Sequence, residues 1–298
     1  MTSSSAPLSA SLPPPILAHA GELLSRYRVL YCDVWGVVHD GVQAYTAATD
    51  ALIRFREGGG TVVLLTNAPV PMARVMAMLE ARHVSPDAYD AIVSSGEIAL
   101  AHIAERGYRR VYFIGPRARD ASFFERSAAS EVDLDAAEAV VCTGLNDDVR
   151  ETVETYSDVL GQAHALGLPF VCANPDLVVD VGGRLFLCAG ALADAYQKLG
   201  GAVFWAGKPH ATAYAAARSK AERVRGAPVS DREILVIGDA IRTDLAGAAG
   251  AGLDALFIAG GIHRAEATTD GKVDAAKIAT LFPPGTPPAL AVMGALAW

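Results

Sequence analysis

Short apolar runs alternate with longer, Ala-rich, charge-bearing stretches along most of this chain. The runs fall at residues 29–32, 61–65, 91–93, 111–114, 139–142, 169–172, 202–205, 234–237 and 255–258. Each is the length of a strand, and several are apolar at every position, as strands covered on both faces are. The stretches between them, such as 71–81 and 211–225, read as helices. Strands alternating with helices predict an α/β fold with parallel sheets built from βαβ units. Gly58-Gly59-Gly60 is expected to close the helix that begins near Ala47, because glycine tolerates a left-handed cap. The Ser- and Pro-rich start, through Pro13-Pro14-Pro15, predicts a disordered or extended segment over 1–24. After Phe282-Pro283-Pro284-Gly285 the tail turns apolar and is expected to add a last short strand.

Composition narrows the function classes. Of 298 residues, 52% are hydrophobic, so a large buried core is available and disorder is not the default. A formal net charge of -8 argues against a nucleic-acid partner, which calls for a basic patch. No apolar run is long enough to span a bilayer, and the first residues lack the pattern of a signal peptide, so a cytoplasmic protein without membrane attachment is expected. Cys32, Cys142, Cys172 and Cys188 form no C-x-x-C pair and read as buried thiols. Gly247, Gly250 and Gly252 have the wrong spacing for a dinucleotide fingerprint and predict close helix–sheet packing. Gly207-Lys208 is not a P-loop, because Pro209 follows the lysine.

Candidate chemistry sits at the strand ends. Asp33, Thr66 and Asp239 each follow an apolar run, and ligands of open parallel sheets bind beyond the carboxyl ends of the strands. Asp33 there can attack phosphorus as a nucleophile, giving an aspartyl-phosphate that water hydrolyses. Asp239 and Asp244, with Asp33, offer hard oxygen ligands suited to Mg²⁺. Lys208 supplies a compact positive charge for phosphoryl oxygens, and the Thr66 hydroxyl a hydrogen bond. Singly, each has a plainer reading: Asp33 as a helix N-cap, Lys208 as a solvated charge, Thr66-Asn67 as a turn, Asp244 as a residue favouring a helix start. All four in this order at strand ends favour the chemical reading.

Asp33, Leu64-Leu65-Thr66-Asn67, Gly207-Lys208-Pro209 with Tyr214, and Gly238-Asp239 through Thr243-Asp244 together resemble the haloacid dehalogenase superfamily. They are similar to its class IIA branch, which includes p-nitrophenylphosphatase-like, pyridoxal phosphatase-like and bacterial nucleotide and sugar phosphatases. The resemblance runs from about Tyr27 to Gly261 and includes Cys172-Ala173-Asn174-Pro175-Asp176, similar to a cap-to-core segment. It implies a Rossmann-like core, residues 25–95 and 202–298, with an inserted α/β cap of the class C2 type over 96–201. It also implies metal ligation by Asp33, the Trp35 backbone carbonyl, Asp239 and Asp244. Asn67, Asn174 and Asp176 would face the cleft as substrate-binding groups, with an Asx turn as the alternative for the last two.

Trp35 departs from the pattern. Most phosphatases of the family carry there an acid that protonates the leaving alcohol and then activates water, and an indole N–H can only donate. His39 or Asp40, on the segment after the first strand, is the candidate substitute, with a surface histidine as the plainer reading for His39. Alternatively the enzyme is slow or restricted to substrates needing no general acid, or the chain is an inactive phosphate-ligand-binding or regulatory homologue. Dehalogenases also carry an aromatic residue at this position, but the acid pair Asp239 and Asp244 argues against that activity. The function expected is a Mg²⁺-dependent phosphatase of a small phosphorylated metabolite, a sugar phosphate or nucleotide. Oligomeric state is left open between monomer and homodimer.

Overall fold

The computed structural model describes residues 13–181 and 183–298. Its strands, numbered in chain order, are β1 Val29–Cys32, β2 Thr61–Thr66, β3 Ala91–Ser94, β4 Arg110–Ile114, β5 Ser130–Glu131, β6 Ala139–Cys142, β7 Phe170–Cys172, β8 Val178–Val181, β9 Arg184–Leu187, β10 Val203–Trp205, β11 Ile234–Gly238, β12 Asp254–Ile258, β13 Thr268–Thr269, β14 Lys272–Val273 and β15 Ala291–Met293. A parallel six-stranded sheet has the order β15-β12-β11-β1-β2-β3, and a parallel five-stranded sheet the order β10-β7-β6-β4-β5. Two antiparallel hairpins, β8–β9 and β13–β14, complete the pairing among the described residues.

The uninterrupted apolar runs have a direct cause. On β1, Leu30 and Cys32 pack into one core while Val29 and Tyr31 pack into another, and β2 and β11 divide the same way. Both faces of the six-stranded sheet are therefore buried, which removes the polar alternation of a one-sided sheet. The five-stranded sheet is likewise covered on two faces, with Val140, Cys142 and Phe170 in one cluster and Val141 and Val171 in the other. It is inserted between β3 and β11, with helices Ser95–Arg106 and Ala211–Arg225 leading out of and back into the six-stranded layer. This is an α/β architecture with a Rossmann-like core and an inserted cap.

Three local expectations change. Residues 1–12 of the segment expected to be disordered or extended lie outside the described residues. Beyond them the chain is extended at Pro15–Leu17, where it bonds Val292 beside β15, and helical at Gly21–Leu24, where Leu24 is buried. β10 pairs with β7, so the second sheet reaches Trp205 rather than stopping at 201. Gly247 meets a helix and not the sheet: a Cβ there would stand 2.3 Å from the Tyr214 hydroxyl, whereas Gly250 has open space around it and Gly252 takes φ +68° after the helix. The predicted terminal strand is β15, paired with β12, and Gly59 adopts φ +85° behind helix Thr46–Glu57. All four cysteines are buried and free. No helix among the described residues is long and apolar enough to cross a membrane.

Candidate active site

The carboxyl ends of β1, β2 and β11 open on one cleft of about 970 Å³. Asp33 extends the β1 ladder by one bond, from its N–H to the Ile237 carbonyl, so its side chain leaves the sheet at the strand end. Asp239 follows β11 directly, and Asp244 lies one turn later in the wide-turn helix Ile241–Leu245. One oxygen from each of Asp33, Asp239 and Asp244 can be chosen so that all three lie within 4.8 Å of one another. Lys208 Nζ donates to Asp33 Oδ1 at 2.6 Å and to Asp244 Oδ1 at 2.7 Å, and its side chain is 3% exposed.

Ionised together, these three carboxylates against one ammonium would leave two negative charges uncompensated in a buried space. Burial, the largest influence, pushes the Asp33 carboxyl up to about 7 despite Lys208, with Asp244 adding to the rise. Burial and the neighbouring Asp33 and Asp244 hold Asp239 well above the ordinary carboxylate range. For Lys208, burial opposes the charge, but Asp244, Asp33 and Asp176 outweigh it and keep the ammonium firmly protonated.

Backbone close to the acids is shaped around them. A Cβ on Gly36 would stand 2.0 Å from Asp239 Oδ2, one on Gly261 1.9 Å from the same atom, and one on Gly238 2.0 Å from Asp244 Cγ. The Ile262 N–H donates to Asp239 Oδ2 at 2.7 Å, and the Ala240 N–H to Asp244 Oδ2 at 3.1 Å.

Asn67 lines the cleft and is bonded within the protein through both ends of its amide. Its amide donates to Asp176 Oδ1 at 2.9 Å and to the Lys208 carbonyl at 3.1 Å, and its oxygen accepts from the Lys208 N–H at 2.9 Å and from Ser95 Oγ at 3.2 Å. Both amide hydrogens are spent, so Asn67 holds the backbone of Lys208 and the start of the β8 segment. Asn174 Oδ1 accepts from the Asp176 N–H at 3.1 Å, which is the Asx turn weighed as the alternative. Asp176 lines the cleft beside it, and burial raises its carboxyl above the ordinary range. Thr66 is at the cleft floor, its hydroxyl accepting from the Ala68 N–H at 3.2 Å.

The substitute acids fare poorly. His39 is 2% exposed, borders a small apolar cavity rather than the main cleft, and accepts from the Gly41 N–H through Nδ1 at 3.0 Å. Burial, reinforced by Arg82, lowers it to about 4, so it is neutral at ordinary pH and has no proton to give from Nδ1. The surface-histidine alternative is corrected too, since the ring is buried edge-on to Trp35 with centroids 5.1 Å apart. Asp40 lines the cleft, but its Oδ1 accepts from the Val42 and Gln43 N–H groups, both at 2.8 Å, and these bonds hold it below the usual carboxylate range. A carboxylate so held resists protonation. The Trp35 indole lines the cleft, but its N–H is already engaged: Nε1 donates to the Asp180 carbonyl, on β8, at 2.8 Å.

Two groups of cleft residues escaped the sequence reading. Arg119 pairs with buried Asp120 at 3.0 Å and with Asp148 at 2.8 Å on the cap side. The β8–β9 hairpin contributes Val178, Val179, Val181, Phe186 and Leu187. The hairpin had a legible signal, two apolar-rich runs flanking Gly182-Gly183. The Arg119 cluster had none, because its members meet only through the cap fold.

Comparison with known proteins agrees with this arrangement. Residues 30–127 match the haloacid dehalogenase-like hydrolase family, and residues 205–282 match a second family described as HAD-hydrolase-like. The ribonucleotide monophosphatase NagD of Escherichia coli K12 is 28% identical over 241 residues, 78% of this chain and 87% of NagD. A glycerol phosphate phosphatase of Mycobacterium tuberculosis, solved with magnesium, shares the fold at 23% identity and a TM-score of 0.61, over 80% of this chain and 70% of that one. A haloacid dehalogenase-like hydrolase from Brucella suis 1330 is 42% identical, with a TM-score of 0.82 over 93% of this chain and 98% of its own. The second sheet enters between Thr66 and Lys208, the placement expected of the class IIA branch. On that likeness the chain belongs to the haloacid dehalogenase-like hydrolase family.

Proposed function

We propose that the chain is a Mg²⁺-dependent phosphatase of a small phosphorylated metabolite, a sugar phosphate or nucleotide, working through an aspartyl-phosphate. The observation that carries this reading is the buried set of Asp33, Asp239 and Asp244 around a single Lys208, two charges short of neutrality. Mg²⁺ would be held by Asp33, Asp239, Asp244 and the Trp35 carbonyl, and would supply charge neutralisation for an approaching phosphate dianion. Asp33 attacks phosphorus, the bond to the leaving oxygen breaks, and water then cleaves the acyl phosphate. Lys208 holds phosphoryl oxygens while remaining bonded to the nucleophile's carboxylate, and Thr66 offers its hydroxyl to them. The inserted sheet, expected over 96–201 and with β10 included reaching about residue 206, is the cap that shapes the space for the leaving group. The NagD relative's nucleotide substrate lies within the proposed class.

A second reading has support of its own, since the Trp35 N–H is engaged by Asp180 and His39 is buried and neutral. It is a phosphate-ligand-binding homologue with little or no turnover. Mg²⁺-dependent hydrolysis of p-nitrophenyl phosphate by the purified protein, lost in Asp33→Asn, supports the phosphatase. Binding of inorganic phosphate without hydrolysis supports the alternative.

A further inference from the structure

Trp35 stands where the family's proton-donating acid is usual, and its side chain lines the cleft. Its indole N–H reaches the backbone of Asp180, 145 residues away, on another part of the cleft wall. That wall is the β8–β9 hairpin, which pairs only with itself: Asp180 faces Leu185 in register, and neither strand joins the five-stranded sheet. An isolated two-stranded hairpin is marginal in water and needs outside support. At its base it has the Asn67–Asp176 bond, and Leu187 packs partly buried against the cap core. At mid-strand it has Trp35.

The indole is itself held firmly. His39 packs edge-on against it at 5.1 Å, and Gly41, at φ +90°, passes so close that a Cβ there would stand 2.4 Å from the Trp35 ring. Arg82 in turn fixes Gly41 by donating to its carbonyl from Nε at 3.0 Å and Nη2 at 2.8 Å. The chain thus builds a rigid post directly after its nucleophile and rests the hairpin on it. The hairpin presents Val178, Val179, Val181, Phe186 and Leu187 to the same cleft as Asp33 and Lys208.

We propose that Trp35 is a positioning residue: its indole N–H fixes the β8–β9 hairpin as the apolar wall that grips the leaving group. The position that usually transfers a proton here sets how tightly the organic part of the substrate is held. The kinetic side of this rests on the phosphatase reading; the structural side does not.

Trp35→Phe tests it, removing the N–H while keeping an aromatic ring and the backbone carbonyl. Hydrogen exchange of the full-length protein, without substrate, should be faster at the amides of residues 178–187 than in wild type. KM for p-nitrophenyl phosphate should rise about three- to tenfold, the worth of one neutral hydrogen bond. Acetyl phosphate, whose short leaving group does not extend to the hairpin, should keep its KM. Gly41→Ala, which pushes the indole aside without removing it, should reproduce the exchange result and guards against misfolding of the first variant. Unchanged exchange over 178–187 in both variants overturns the proposal. Faster exchange with equal KM effects on both substrates overturns the assignment to leaving-group binding. If wild type hydrolyses neither compound, the phosphatase reading fails, and the exchange comparison still decides whether Trp35 holds the hairpin.

Discussion

Removing the divalent cation should expose the charge imbalance around Lys208 as a pH-dependent loss of stability. In the metal-free protein the Asp33 carboxyl is pushed up to about 7, and Asp239 is displaced in the same direction. An unfolded Asp titrates near 3.9, so the folded state binds more protons than the unfolded one between those values. A carboxyl with a raised folded pKa gives stability that is complete below about pH 4 and disappears as pH rises through about 7. For Asp33 alone, a shift of about three units corresponds to an upper limit of roughly 4 kcal/mol. Mg²⁺ should reverse the loss, because at a hundred times its Kd a ligand adds about 2.7 kcal/mol. For a chain of this size that amounts to a rise in Tm of roughly 5 °C. Thermal melts with EDTA or Mg²⁺, taken between about pH 5 and pH 8, measure both effects. Tm should fall with pH in EDTA over the upper part of that range, and the Mg²⁺ increment should grow as it falls. An EDTA melt indifferent to pH, together with no response to Mg²⁺, would refute a buried site two charges short.

Further outcomes follow from the same geometry. Asp33→Asn should abolish turnover of p-nitrophenyl phosphate, and because it removes one of three crowded carboxylates, its Tm in EDTA should equal or exceed wild type. With no acid at Trp35, alkyl phosphates should react slower than p-nitrophenyl phosphate by about 10²–10⁴ in kcat, and Trp35→Asp should narrow that gap; equal rates would show that bond breaking does not limit turnover. His39→Ala should leave this ratio unaltered, since the buried ring has no contact with the main cleft. Gly36→Ala should raise the Mg²⁺ concentration needed for half-maximal activity by about 10–100-fold, because its methyl group would displace Asp239.

The sheets were largely legible because a strand buried on both faces leaves a continuous apolar run. The runs at 29–32, 61–65 and 234–237 locate β1, β2 and β11 within a residue at either end. The acids that terminate β1 and β11 were legible for a related reason: a charged residue directly after such a run must leave the sheet at its carboxyl end. What was not legible is how groups distant in sequence use up each other's bonding capacity. Nothing in the sequence tells that Asn67 is bonded by Asp176, Ser95 and both backbone groups of Lys208. His39 reads as an available acid until the cavity that buries it is seen. β5, two residues long, carries too short a pattern to read at all.

The place of β1 in its sheet also bears on how the protein is made. β2 emerges soon after β1 and can pair with it, and β3 can then pair with β2, but the other neighbour of β1 is β11. At a synthesis rate of 5–20 residues per second, the roughly 200 residues between Cys32 and Gly238 take about 10–40 s to emerge. Throughout that interval the nascent chain presents the apolar edge of β1, with its unpaired amides and carbonyls, to any other strand nearby. Yield on overexpression should therefore depend on how crowded the ribosomes are and how fast they run. Fewer ribosomes at work at once, or added chaperone, should raise the recovered fraction more than any change at the mature surface.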